Sequence, residues 1–190
     1  MGDPDPIEEG RRLGHMRQQA ADHLSDKYPR LRPWDRDYEN ALGGAAEAAF
    51  VLRFEPICPL IKLDRVAKPG GDQGREWDIP GLGWIDVKGR PCDSTSADPH
   101  LRHPDLLVKV STGRKAIARL RDYGIETYFV LVWVYKTKCS LMGFETTEGV
   151  VKRKPLKGNP KIEPVFWVPC QELIRIRELE TAIRSVMLIK

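Results

Sequence analysis

Residues 77–90 have the sequence WDIPGLGWIDVKGR, and this stretch decides the fold. The segment PGLG, residues 80–83, has the composition of a tight turn. The residues on either side of it are therefore predicted to form a β-hairpin. Because alternate side chains of a strand leave opposite faces of a sheet, Asp86 and Lys88 share one face. We expect Asp78, on the neighbouring strand, to bring a second carboxylate close to that of Asp86.

Two carboxylates beside a lysine suit the hydrolysis of phosphodiesters. Carboxylate oxygens bind hard cations such as Mg²⁺ or Mn²⁺, and such a cation activates a bound water and neutralises charge on the phosphate. The ammonium group of Lys88 can stabilise the same developing charge. The pattern Asp-x-Lys alone is common, so the alternative is that Asp86 and Lys88 form the solvent face of an ordinary amphipathic strand.

Together with Glu47 upstream, the hairpin resembles the PD-(D/E)XK nuclease superfamily. Its pattern is an acidic residue on an N-terminal helix, an aspartate beginning the second core strand, and Asp/Glu-x-Lys on the third. The resemblance implies an α/β fold with a restriction-endonuclease-like core, in which a central mixed β-sheet is flanked by helices. It also implies site roles: Asp78 and Asp86 ligate the metal, Glu47 positions metal or water, the Val87 carbonyl adds a ligand, and Lys88 is the catalytic lysine.

The match leaves three points open. Trp77 stands where the family's pattern has a proline. Asp72 competes with Asp78 for the first ligand position, and we prefer Asp78 because it lies on a predicted strand, whereas loop aspartates among glycines are commonplace. For Glu47, the alternative is an exposed position on a helix surface.

Length and composition indicate one soluble domain. The chain has 190 residues and a formal net charge of +4, which suits a single core and favours a polyanionic partner, DNA. No apolar run is long enough to span a membrane, and no signal peptide is recognisable, so we expect a cytoplasmic protein. Residues 35–190 are predicted to form the nuclease-like domain. Residues 1–34 are predicted to add an extra N-terminal helix that either packs on the domain or mediates a homodimer.

Cysteine usage leaves a weaker metal alternative. The four cysteines include no Cys-x-x-Cys pair, which favours a reduced context. Cys92, His100 and His103 lie in a long predicted loop, residues 90–104, but their spacing fits no standard zinc site.

The remaining pattern predicts helices and strands around the hairpin. Small residues in the second helix allow its close approach to a sheet, and an apolar strand is predicted to be buried on both faces. Ser111-Thr112-Gly113 is predicted to cap a helix whose apolar stripe ends at Tyr123, and Leu173 is predicted to lie on the apolar face of the last helix. The predicted elements are a helix at 35–54, a strand at 105–110, a helix at 114–123, strands at 127–135, 141–145 and 165–168, and a helix at 171–187.

Basic residues near the hairpin are candidates for phosphate contacts. Arg90 follows the Asp-x-Lys strand, and Lys109, Arg114 and Lys115 flank the start of the helix at 114–123. Such contacts give salt-sensitive affinity for any sequence. The charged side of that helix, which includes Arg119, could equally be a solvated face.

The sequence therefore predicts a Mg²⁺- or Mn²⁺-dependent DNA endonuclease. A small basic chain without a separate base-reading domain suits recognition of DNA shape, as in a Holliday junction resolvase of phage DNA processing or recombination. The alternatives are a non-catalytic nucleic-acid-binding module that retains the nuclease fold, and a zinc-stabilised interaction protein. The absence of a Walker or Rossmann fingerprint argues against an ATP-driven motor.

Overall fold

The structure is a computed structural model that describes residues 36–63, 76–156 and 163–188. The predicted N-terminal helix and Asp72 lie outside these residues. In chain order the helices and strands are α1 (Arg36–Phe54), β1 (Ile61–Leu63), β2 (Glu76–Ile79), β3 (Gly83–Pro91), α2 (Pro99–Arg102), β4 (Leu106–Lys109), α3 (Val110–Tyr123), β5 (Thr127–Val134), β6 (Cys139–Glu145), α4 (Thr147–Val151), β7 (Val165–Val168), β8 (Ile174–Arg175) and α5 (Ile176–Leu188), with a 3₁₀ turn at Cys170–Glu172.

The main sheet is mixed. Its strand order is β1-β2-β3-β5-β6-β8, and β4 and β7 form a separate two-stranded sheet. Among the neighbouring strands of this sheet that the structure describes, only β3 and β5 run parallel. A parallel pair needs a long crossover, and here the chain between β3 and β5 forms α2, β4 and α3. The predicted α/β class, with a mixed sheet flanked by helices, is confirmed.

Strand β5 separates two hydrophobic cores. Alternate residues such as Val130 and Val132 face α1 and α5 in the first core. The residues that alternate with them, Phe129 and Leu131, face α3, β4 and β7 in the second core. The prediction of a central strand that is buried on both faces is confirmed, because an apolar strand with no polar side needs cover on each face.

Helix α1 lies very close to β3. Ala46 is fully buried, and a Cβ atom added to Gly89 would lie 2.9 Å from the Ala46 Cβ atom. Further along the helix, the rings of Phe50 and Phe54 stack at a centroid distance of 4.7 Å and fill the first core. Small residues at the crossing and large ones beyond it thus fix the helix on this face of the sheet.

The turn between β2 and β3 has the predicted form. Gly81 and Gly83 have φ angles of 88° and 138°, which side chains with a Cβ atom rarely adopt. These two glycines allow β2 to fold back on β3, and Ile79 pairs with Gly83 at the closed end of the hairpin.

The start of α3 differs from its prediction. Ser111 does not cap the helix, because α3 begins at Val110, directly after β4. The N-cap residue of α3 is Lys109, which makes no side-chain capping bond. The backbone N–H of Ser111 instead donates to the Glu163 carboxylate. Tyr123 was predicted to extend the apolar stripe but is 77% exposed, because the helix ends at Gly124 beyond the second core.

Two further segments also differ. The predicted loop at 90–104 contains the end of β3 and the one-turn helix α2. The last helix begins at Ile176, and Leu173 precedes it, because Ile174 and Arg175 pair with β6 instead. Tertiary strand pairing has overridden a helical periodicity here. None of the helices in the described ranges is long and apolar enough to cross a membrane.

Candidate active site

Asp86 and Lys88 lie on the same face of β3, as predicted. Ile85 and Val87 enter the first core beneath α1. The alternating residues point to the opposite face, where Asp86 is the register partner of Phe129 on β5 and Lys88 is that of Leu131. The strand therefore presents two charged side chains on the face of the second core.

These two side chains form an ion pair. The Lys88 Nζ atom lies 2.9 Å from the Asp86 Oδ1 atom, and the side chains are 29% and 8% exposed, respectively. A carboxylate this deeply buried is costly unless a cation or hydrogen bonds compensate it. Lys88 supplies that cation and still reaches solvent, so the pair is a charged site at the protein surface and not a sealed core contact.

Asp78 lies on the same face but is not directly opposite Asp86. Its register partner on β3 is Trp84, and the register partner of Asp86 is Glu76. Directly opposed residues in an antiparallel pair have Cβ atoms about 4.5–5.5 Å apart, and diagonal neighbours are roughly 7–8 Å apart. Asp78 is therefore a diagonal neighbour of Asp86, because the hairpin is closed at residues 79 and 83.

Glu47 lies on the helix that covers the other face of the sheet. It is half-buried, and the preceding Ala46 packs against Gly89 on the first-core face. The structure therefore does not place Glu47 on the face that Asp86 and Lys88 share. Its predicted role requires the side chain to reach around β3 from α1.

Arg119 is folded onto the sheet near this site. Its Cζ atom lies 3.6 Å from the ring centroid of Trp84, and its Nη1 atom donates to the Thr127 hydroxyl at 2.8 Å. The alternative of a solvated position is thus wrong for Arg119, because its guanidinium group packs on the indole ring and donates a hydrogen bond to a buried threonine. Lys115 lies one helical turn earlier on the same side of α3 and is exposed.

The other predicted phosphate contacts are distributed over two elements. Arg90 is half-buried on β3 and alternates onto the face of Asp86 and Lys88. Lys109 and Arg114 are exposed at the start of α3. The candidate cations therefore lie at the end of β3 and around the start of α3.

The predicted zinc residues Cys92, His100 and His103, which all lie among the described residues, do not form a metal-binding group. The Cys92 thiol donates to the Arg102 carbonyl at 3.2 Å, and burial raises its pKa, with a hydrogen bond from Tyr135 opposing that shift. A raised thiol pKa disfavours the thiolate that binds zinc. His103 is exposed, and its ring centroid lies 5.6 Å from that of Trp133.

The donor chemistry on the Asp86 face fits a hard divalent cation. Within residues 36–63, 76–156 and 163–188, no three His, Cys, Asp or Glu side chains form a metal-binding group. Mg²⁺, however, is commonly held by only one or two carboxylates, with waters and substrate phosphates as its other ligands. Asp78 and Asp86 supply two such carboxylates.

The chain matches no protein-family model, no curated protein and no solved structure. The chemistry of this site is therefore the basis for assigning a function.

Proposed function

We propose that the protein is a Mg²⁺- or Mn²⁺-dependent DNA endonuclease of the PD-(D/E)XK type. The observation that carries the proposal is the ion pair between Asp86 and Lys88, 2.9 Å long, on an inner strand of a mixed sheet. A second carboxylate, Asp78, lies on the same face of the adjacent strand. Carboxylates beside a lysine are suited to metal-assisted phosphodiester hydrolysis.

The order of elements supports this class. The proposed acidic residues follow a helix, α1, and Asp78 lies on the second strand while Asp86 and Lys88 lie on the third. This is the order of the strand positions in the family's pattern; the pattern's helix position corresponds to Glu47, which α1 carries over the other face of the sheet.

Each site residue has a distinct role in this proposal. Asp86, with Asp78, would hold the metal, and the Val87 carbonyl would add a ligand beside Asp86. A bound metal would supply charge neutralisation and a more acidic water. The ammonium of Lys88, held at Asp86, would face the scissile phosphate and stabilise its charge.

DNA is the proposed substrate because β3, which carries Asp86 and Lys88, and α3, which packs beside it through Arg119 and Trp84, also carry basic side chains. Arg90, Lys109, Arg114 and Lys115 would contact backbone phosphates, and Arg119 adds a fixed positive charge beside Trp84. Contacts of this kind recognise shape and charge and not base sequence. We therefore propose a structure-selective enzyme, resembling a Holliday junction resolvase, in phage DNA processing or recombination.

A second candidate is a non-catalytic nucleic-acid-binding module that retains the fold. The observation in its favour is that Lys88 already compensates the charge of Asp86, which explains the buried carboxylate without a metal. Such a module would bind DNA without cutting it, and its binding would not depend on Lys88.

The deciding experiment measures cleavage of end-labelled single-stranded, duplex, flapped and four-way DNA in Mg²⁺, Mn²⁺ or EDTA. The wild type is compared with Lys88→Met and with the control Lys136→Met, which alters an exposed lysine in the turn after β5. We expect metal-dependent cutting that Lys88→Met abolishes and Lys136→Met retains. Binding without cutting in every metal would favour the second candidate.

A pair of substitutions tests the two proposed metal ligands. Asp78→Asn should lower cleavage and weaken Mn²⁺ binding, measured by calorimetry. Asp86→Asn should abolish both cleavage and tight Mn²⁺ binding. An active Asp86→Asn protein would overturn the assignment of the site.

A further inference from the structure

The outer face of the small β4–β7 sheet is apolar and exposed. Alternate residues of β7 enter the second core, and Val165 and Trp167 point away from it. Leu107 of β4 is the register partner of Trp167, and Leu156 bridges to Val165. These four residues, Leu107, Leu156, Val165 and Trp167, are called the Trp167 platform below.

The ring of Trp167 is held in a fixed orientation. Its Nε1 atom donates to one oxygen of Asp105 at 2.8 Å, and the other oxygen of Asp105 accepts from the backbone N–H of Cys170 at 2.8 Å. The side chain is nevertheless 40% exposed. Because its one polar atom is already bonded, the part of the indole that meets solvent is an apolar ring surface. A rigid, exposed aromatic surface is typical of a binding position.

Exposed cations border the Trp167 platform. Lys109 is the register partner of Val165, and Arg114 lies in α3, whose first residue bonds to the residue that precedes β7. Lys152 and Lys154 follow α4 on the way to Leu156. All four basic residues are exposed. Two acidic residues of this region are engaged within the protein, Asp105 with Trp167 and Glu163 with a backbone N–H group.

We propose that the Trp167 platform binds an unpaired nucleotide of single-stranded DNA. A base would stack on the indole ring while neighbouring phosphates contact the exposed cations, which is the combination by which proteins bind single strands. Bases inside a duplex cover one another and a terminal pair has one uncovered face, whereas an unpaired base is free to turn either face to the indole ring. The inference rests on the proposed nuclease function and narrows its substrates to DNA that carries a single-stranded segment, such as a tail or flap.

The test measures binding in EDTA, where no metal-dependent cleavage occurs. Fluorescence anisotropy follows a labelled oligonucleotide as a single strand, as a blunt duplex and as a duplex with a single-stranded tail. Loss of one stacked base lowers affinity by about tenfold. Trp167→Ala should therefore bind the single strand and the tailed duplex about tenfold more weakly and the blunt duplex unchanged.

Two variants control for loss of structure. Trp167→Phe keeps an aromatic ring and should retain most of the single-strand affinity that Trp167→Ala loses. Tyr123→Ala removes another exposed aromatic ring, at the far end of α3, and should bind all three DNAs as the wild type does. Single-stranded DNA should also quench tryptophan emission in the wild type and much less in Trp167→Phe.

Three results would overturn the proposal: unchanged single-strand binding in Trp167→Ala, an equal loss for blunt duplex, or a wild-type dimer that Trp167→Ala dissociates in light scattering. The last result would assign the surface to a second copy of the chain. Cleavage assays distinguish this failure from that of the nuclease function. If Trp167→Ala binds single-stranded DNA as the wild type does, and cleavage still requires Lys88, only the proposed role of the Trp167 platform is rejected. If the wild type binds single-stranded DNA through Trp167 but cuts no DNA with any metal, only the proposed nuclease function is rejected.

Discussion

Replacing Lys88 by methionine should destabilise the protein, because it leaves the Asp86 carboxylate buried without its cation. Methionine keeps the length and apolar stem of lysine and removes only the ammonium group. The Lys88 side chain is 29% exposed and the Asp86 side chain is 8% exposed. The pair therefore lies between an exposed ion pair, worth about 0–1 kcal/mol, and a buried one, whose disruption costs about 3–5 kcal/mol.

The expected loss is about 2 kcal/mol, since water can reach Lys88 and partly replace its ammonium group. For a domain of this size, that corresponds to a decrease of about 4–8 °C in the melting temperature. A loss of this size is smaller than the free energy of unfolding of a typical domain, about 5–15 kcal/mol, so the variant should stay folded. Loss of cleavage in Lys88→Met would thus be a loss of chemistry and not of structure.

Urea denaturation of four proteins measures the coupling: the wild type, Lys88→Met, Asp86→Asn and the double variant. The double variant should recover part of the loss, because asparagine leaves no buried charge, and the coupling free energy should be about 1–2 kcal/mol. The m-value should stay constant across the set. Additive effects, with Lys88→Met within about 0.5 kcal/mol of the wild type, would refute the ion pair as a stabilising contact.

Two further predictions concern the first core and its border. Gly89→Ala should destabilise the protein by about 1–3 kcal/mol in urea denaturation, because the added methyl group would overlap Ala46 at 2.9 Å; unchanged stability would mean that α1 shifts freely. Hydrogen bonds from Arg184 and then Arg53 lower the pKa of Glu180 from its ordinary value of 4.5. The stabilisation they provide is present above that value and is lost as pH falls through the lowered pKa. Below pH 4.5, the melting temperature should therefore fall more steeply in the wild type than in Glu180→Gln, and equal slopes would contradict the pairing.

The sequence predicts the site's central feature because strand geometry has a strict period of two. That period places Asp86 and Lys88 on one face of β3 whatever the rest of the fold does. The same period, with an unbroken apolar run, identifies β5 as an inner strand. Turn composition at Gly81 and Gly83 fixes the hairpin that joins β2 to β3.

Features that depend on distant parts of the chain could not be predicted. The register across the hairpin depends on which residues close the turn, so Asp78 was expected close to Asp86 and lies diagonal to it. Helical periodicity places Arg119 on the charged side of α3 but cannot indicate that Trp84, from β3, lies beneath it. Pairing between β4 and β7 joins segments that are far apart in the chain, and no local pattern specifies such a partner.

The arrangement of the two cores bears on how a nascent chain reaches its native state. Phe166 closes one face of β5, and Leu179 and Ile183 close the other. The cover on each face of the most apolar strand thus stays incomplete until segments beyond residue 165 have left the ribosome. The domain should fold as one cooperative unit after synthesis of its last helix, and fragments that end before β7 should aggregate or be bound by chaperones.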